Sequence, residues 1–429
     1  MLRAFVNALK IPDLRGKILF TLCMIAIYRL GSYIPVPGAD YEEIQRFLDR
    51  AQNAANSGAF NLINLFSGGA LTQFAIFALG IMPYITSSII MQLLGVVIPR
   101  LEELRKEGET GQKKLQQYTR YVTIGLAVLQ SAAIVTLARS KNLLPDVDVF
   151  PDMNAGRFAL AVLTLIAGTA MIMWLGELIT QRGIGNGMSI LIFSSIVSQL
   201  PSQGARILQE RGAVLFSVLC GFGLVIIIAV IFVEQAQRRI PVQYAKRMVG
   251  RRMFGGSSTY IPLKVNQAGV IPIIFASSLL YLPVLLTSIF NKQWLNDLTT
   301  RFFEDGHHPV YIISYFLLII AFAYFYNSIA FNPIDTADNM KKYGGFIPGI
   351  RPGRQTAEYL NAILTRITLP GALFLGVIAV LPFILLATNN VQKFPFGGTA
   401  ILITVGVGLE TMKQIESQLL MRNYEGFLR

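Results

Sequence analysis

Apolar runs of about 20 residues recur along the chain, separated by charged or Gly/Pro-rich breaks, and a helix of that length is what a bilayer's hydrocarbon core requires. Ten such segments fall near residues 17–34, 72–98, 121–138, 158–179, 187–200, 213–233, 268–289, 311–331, 367–387 and 399–418. Each is predicted helical, because in lipid only helices and closed barrels satisfy every backbone polar group and runs this long are not barrel strands. The expected fold class is therefore all-α, a polytopic membrane protein with ten transmembrane helices. One run is interrupted near its start: FNLINLF, residues 60–66, is followed by Ser67, Gly68 and Gly69 before the second span continues.

Charge sets the expected orientation. If the N-terminus is inside, most of the 37 Lys and Arg fall on the inward segments, as cytoplasmic loops require. Both termini are then cytoplasmic, and no cleavable signal is expected because the first seventeen residues lack a compact apolar block and a small-residue cleavage site. The net charge of +13 is thus one-sided. Topology and attraction to anionic lipid explain most of it, but not the loop between spans 6 and 7, EQAQRRIPVQYAKRMVGRRMFGGSSTYIPLK, with seven basic residues and one acid. That loop reads as a docking surface for a large, negatively charged partner, with lipid contact as the other reading. The two cysteines, Cys23 and Cys220, lie in apolar runs and read as small core residues.

The second and seventh spans share a pattern. GIMPYITSS and GVIPIIFASS align with Gly80 on Gly269, Pro83 on Pro272, Ile85 on Ile274 and Ser88 on Ser277. Each copy sits in the second span of a five-span half, and because five is odd the halves run in opposite directions. This predicts an inverted repeat with a pathway between the halves. The halves are expected at 1–205 and 206–429. Pro83 and Pro272 are read as kinks within spans 2 and 7 that flank one opening, or else as incidental bends in a rigid bundle.

A solute transporter of this architecture needs polar or ionisable partners at mid-depth. Here Arg29, Glu177, Arg182, Glu410 and Lys413 lie near span ends and read as interfacial anchors. Mid-depth positions are aliphatic instead: Ile81, Ile85, Ile190, Ile192, Ile274 and Ile403. Converging on the axis, such residues would form a constriction that seals without selecting. Twelve residues, Phe60 to Leu71, are too short to span. They read as a half-helix at a glycine turn, acting either as a mobile stopper in the pore or as a static re-entrant filler.

Four long stretches then carry a resemblance: NLFSGGALTQFAIFALGIMPYITSSIIMQLL, QRGIGNGMSI, YAKRMVGRRMFGGSSTYIPLKVNQAGVIPIIFASS and NPIDTADNMKKYGGFIPGIRPGRQTAEYL. Together, in order and over essentially the whole chain, they resemble the bacterial SecY family. The resemblance implies a ten-helix channel with inverted halves around an hourglass pore, opening sideways between spans 2/3 and 7/8. It implies a short re-entrant plug helix at about Phe60, Asn61, Leu62, Ile63, Asn64, Leu65, Phe66, Ser67, Gly68 and Gly69, continuing to Leu71. It implies a ring of Ile81, Ile85, Ile192, Ile274 and Ile403, with Ile190 the alternative in span 5. Docking sites for the ribosome and the SecA motor ATPase are implied in loops 234–265 and 332–366, with Arg247, Arg251 and Arg252 in the first and Arg351 in the second. Arg354 is a local departure, where some relatives carry an acid. Implied partners are the small membrane subunits SecE and SecG, SecA, the ribosome through its RNA, secretory preproteins with signal sequences, and membrane lipid. The implied location is the bacterial plasma membrane.

The leading expectation is a passive protein-conducting channel that also releases apolar segments sideways into lipid. No cofactor is expected, and energy must come from outside because the chain has no G-x-x-x-x-G-K-[ST] phosphate loop. A secondary transporter of a small solute is the alternative, and lacks its midplane site. An intramembrane hydrolase fails on inventory: His307 and His308 are the two histidines, both in an expected outer loop, with no nucleophile and base in view.

Overall fold

The computed structural model describes residues 10–40, 43–44, 67–139, 154–244, 247–249, 252–254, 258–290, 308–389 and 398–425. Eleven helices lie among them: α1 Pro12–Gly31, α2 Met82–Val97, α3 Pro99–Lys106, α4 Glu109–Arg139, α5 Ala155–Arg182, α6 Gly187–Gln235, α7 Ile271–Phe290, α8 Pro309–Ala330, α9 Pro333–Lys342, α10 Arg354–Asn389 and α11 Gly398–Glu425. Each of the ten expected segments has a helical counterpart. Five stretches of helix, all within α4, α5, α6, α8–α9 and α10, are long and apolar enough to cross a membrane alone, and the bent pair α2–α3 makes a sixth.

Several boundaries differ from expectation for identifiable reasons. Expected spans 5 and 6 form one helical element, α6, broken at Gly212, whose φ of 82° no L-residue adopts readily. The expected division at 205/206 therefore lies inside a continuous helix, and the conformational break comes later. Residues 199–211 are largely polar and include Pro201 and Gly204, yet the backbone stays helical up to Gly212, so hydropathy marks a boundary that the backbone does not make. Helix α2 ends at Val97 and turns by 100° into α3, because Pro99 starts a new helix and forces Ile98 into an extended conformation.

The all-α class holds, with a local β addition. The basic loop after α6 contains β1 Gln237–Tyr244, β2 Arg247–Val249, β3 Arg252–Phe254 and β4 Ser258–Lys264. Strands β1 and β4 pair antiparallel with Ile240 opposite Ile261, and β5 Gly345–Phe346 adds to the other edge of β1. Arginines dominate this loop's composition, but Ile240, Val242 and Leu263 alternate inward onto Met340 of α9, Ile347, and Leu360 and Leu364 of α10. Period-2 burial overrides the basic character. The two basic loops, expected as separate docking sites, thus form one packed unit.

Candidate functional site

The aliphatic positions come together. Ile81, Ile85, Ile190, Ile192 and Ile403 belong to one buried cluster, and Ile274 packs against it. Four elements supply them: the entry to α2, then α6, α7 and α11. Ile190 and Ile192 are 6% and 4% exposed, so burial does not choose between them. Helix α7 packs against both α2 and α4, which brings spans 2, 3 and 7 to one seam.

The glycine-proline repeat has a clear geometry, but not the expected one. Gly80 and Gly269 have φ of 56° and 60°, and a helix starts just after each. Pro83 falls in the first turn of α2 and Pro272 is the second residue of α7. Neither proline kinks a helix. Both occupy the position where a missing N–H costs nothing and a fixed φ favours initiation. The repeat therefore encodes a left-handed glycine turn followed by a helix start, in each half.

The same point corrects the start of span 2. Residues 70–81 are not helical. They form successive turns, with Ala70 N–H donating to Ser67 O, Phe74 to Leu71 and Gly80 to Phe77. A short antiparallel bridge joins Pro35 to Ala75, through Val36 N–H to Phe74 O and Ile76 N–H to Ile34 O, both 2.8 Å. These turns are almost wholly buried, which satisfies the rule that irregular backbone at membrane depth must be enclosed by protein.

Of the expected plug, residues 60–66 lie outside the described residues. Its end, Ser67–Gly69, is held by side chains from two helices. The hydroxyls of Tyr28 in α1 and Ser195 in α6 are 2.7 Å apart, and Tyr28 Oη also lies 3.4 Å from the Ser67 carbonyl oxygen. Arg29 Nη1 donates to Gly68 O at 3.1 Å. Gly68 has φ 67°, and a Cβ there would lie 2.9 Å from Arg29 Nη1 and 3.2 Å from Ser195 Cα. The first glycine is thus demanded twice, by dihedral and by close approach. Arg29 was expected to snorkel; instead it reaches back to this turn while also donating to Tyr33 Oη at 3.2 Å.

Glu177, expected as an interfacial anchor, is a buried partner. Arg120 Nε and Nη2 of α4 donate to its two carboxylate oxygens, at 2.7 and 2.6 Å, with Gln116 Nε2 at 3.3 Å. The pair ties α4 to α5 in the two-pronged geometry that arginine favours. Sequence spacing could not reveal it, because the partners are 57 residues apart.

On the basic unit, Arg351 is exposed, between Gly349 at φ 84° and Pro352-Gly353, the latter at φ 104°. Its carbonyl accepts from Thr356 Oγ1 at 2.9 Å, which fixes the turn beneath the side chain. Arg247 and Arg252 lie on β2 and β3, one at each end of that pairing, while Arg251 lies outside the described residues. Arg354 pairs with Glu358 one turn on, at 3.0 Å and exposed.

A helical bundle with several helices long and apolar enough to cross a membrane, a basic β-extension and one converging aliphatic cluster defines a polytopic membrane protein. The SecY family model matches residues 75–412. Protein translocase subunit SecY of Mycobacterium tuberculosis strain H37Rv is 56% identical over 441 aligned residues, covering 100% of both chains. The same subunit of Streptomyces coelicolor is 58% identical over 440, again covering 100% of both. The chain belongs to the SecY family. A solved protein-conducting channel shares the fold at TM-score 0.61 and 17% identity, covering 96% of both chains. A SecY structure concerned with the plug domain does so at 0.62 and 18%, also over 96% of both.

Proposed function

We propose that this chain is the channel subunit of a Sec preprotein translocase, a conduit through which unfolded secretory proteins cross the plasma membrane and membrane-protein segments pass sideways into lipid. The observation that carries this reading is the convergence of the isoleucines of α2, α6, α7 and α11 in one buried cluster, at the seam where α7 packs against α2. An aliphatic constriction excludes water and ions without recognising any one cargo, which suits polypeptides of varied sequence. The transporter alternative gains nothing from the relatives, which are translocase subunits.

In this reading Ile81, Ile85, Ile192, Ile274 and Ile403 form the ring, residues 60–69 the plug, and α2, α4, α7 and α8 the lateral gate. The chain itself performs no chemistry. SecA and the ribosome dock on the unit bearing Arg247, Arg251, Arg252 and Arg351, and SecE and SecG complete the membrane complex. Contact with ribosomal RNA through arginines releases counterions, so that binding weakens steeply with salt. The basic unit and both termini face the cytoplasm.

The test is reconstitution. Vesicles holding this chain with SecE and SecG, supplied with SecA, ATP and a signal-bearing preprotein, are expected to protect the preprotein from added protease. Vesicles lacking this chain are not. Equal protection in both would overturn the reading.

A further inference from the structure

The two copies of the glycine-proline repeat differ at one informative place. Three residues before Gly80 stands Phe77, buried and stacked on Tyr28 at 5.7 Å between ring centroids. Three residues before Gly269 stands Asn266, equally buried but polar. Its Nδ2 donates to Glu234 Oε2 at 2.8 Å and to Gly269 O at 3.1 Å. One amide nitrogen thus joins the last turn of α6 to the turn that launches α7.

The surroundings make this joint stiff. Val265 N–H donates to Ala236 O at 3.0 Å, so the base of the β1–β4 hairpin closes immediately beside Glu234 and Asn266. The linker 265–270 is seated on two helices: a Cβ at Gly371 of α10 would collide with the Val265 carbonyl, and one at Gly406 of α11 would lie 2.7 Å from Val270 Cγ2. Leaving the hairpin, the chain has six residues, 265–270, in which to absorb any movement before α7 begins. Those residues are packed below and tied across. A carboxylate acceptor makes the tie stronger than a neutral hydrogen bond, and Asn266 is buried while Glu234 is half-buried, which limits water's access to the amide.

We propose that Asn266 is a positioning residue that couples the basic sheet to the seam between α7 and α2. A load applied to the sheet by a docked partner reaches Gly269 through the Glu234–Asn266–Gly269 bridge and turns the first turn of α7. Phe77 fills the equivalent position before α2 with an apolar stack, and among the described residues no sheet precedes that helix. This inference rests on the sheet being the docking surface.

The test uses the full chain with its small membrane subunits in vesicles, Cys23 and Cys220 replaced, and paired spin labels at Leu94 in α2 and Leu279 in α7, both exposed. SecA with ATP is the partner supplied. In the parent, SecA is expected to lengthen the Leu94–Leu279 distance in a fraction of molecules. In Asn266→Ala that fraction is expected to fall about tenfold, the size associated with losing a charge-assisted hydrogen bond, while SecA affinity stays within about twofold. Glu234→Gln retains an acceptor oxygen in a neutral hydrogen bond and is expected to keep most of the parental response, within about threefold; Glu234→Ala is expected to behave like Asn266→Ala. This pair keeps the test decisive if Asn266→Ala folds poorly. A parental response in both alanine variants would overturn the coupling, as would equal failure of Glu234→Gln and Glu234→Ala. Failure of the docking premise shows itself separately, as SecA affinity that is indifferent to Arg351→Glu.

Discussion

Tyr28 and Ser195 share a hydrogen bond of 2.7 Å across 167 residues of sequence, and both sit against the turn that begins at Ser67. Tyr28 is fully buried and carries two further contacts, the Ser67 carbonyl and the Phe77 ring. The turn is therefore a fixed point between α1 and α6 and not a free swivel. Tyr28→Phe keeps the stack and removes the hydroxyl, with an expected cost of about 1 kcal/mol, the usual scale for an interhelical hydrogen bond in membrane proteins. Tyr28→Ala adds loss of the ring, for roughly 3–5 kcal/mol in all. Denaturation in detergent, with Ser195→Ala completing a double-mutant cycle, checks both values and the coupling.

The two glycines of that turn are not equivalent. Gly68 and Gly69 both have positive φ, so alanine strains either by about 1–2 kcal/mol. At Gly68 the new Cβ also meets Arg29 and the Ser195 backbone, whereas at Gly69 nothing lies within 4 Å. Gly68→Ala is expected to be the more destabilising and to displace Arg29. Equal unfolding midpoints for the two variants would show that Arg29 and Ser195 do not confine the turn.

Helices α4 and α5 are joined by Arg120 and Glu177, whose side chains are 40% and 10% exposed. Arg120→Met leaves the less exposed carboxylate without its partner, for an expected loss of roughly 2–4 kcal/mol, toward the lower end because Arg120 is partly solvated. Glu177→Gln keeps an oxygen acceptor, and the expected loss is about 1 kcal/mol. The order of the two, read from thermal midpoints, is the checkable outcome.

Much of this was legible in the sequence because hydropathy, repeat and motif agree. The helical segments and the aliphatic set follow from hydropathy, and the match of Gly80-Pro83 with Gly269-Pro272 marks two equivalent helix starts. The prolines were misread as kinks because hydropathy continues upstream of Pro83 through residues 72–81, which are apolar yet turn rather than wind. Composition signals burial there and cannot distinguish buried turns from buried helix. The sheet was missed because seven basic charges mask three inward aliphatic residues. Asn266–Glu234, Arg120–Glu177 and Tyr28–Ser195 leave no local spacing signal, since each pair lies 32 or more residues apart. A polar residue inside an apolar run was the available cue.

Ile403 is 1% exposed in the aliphatic cluster. Ile403→Asn places an amide there at an expected cost of about 1–3 kcal/mol, and is expected to wet the ring. Ion leak through reconstituted vesicles should rise, and preproteins with defective signal sequences should be accepted more readily. Unchanged leak and unchanged stringency would remove Ile403 from the seal.

Arg351 is exposed, and its turn is held through its carbonyl, which accepts from Thr356 Oγ1. Arg351→Glu is expected to leave the unfolding midpoint within about 0.5 kcal/mol of the parent and to abolish SecA-driven transport. Transport at the parental rate would exclude that arginine from docking.

The central claim is that polypeptide passes through the isoleucine cluster. A secretory chain stalled during transport, probed with single cysteines at Ile85 and Ile274 in the active complex, tests it most directly. Crosslinks from both positions, lost when the stalled chain is released, are predicted; an active complex that gives none from either would contradict the account.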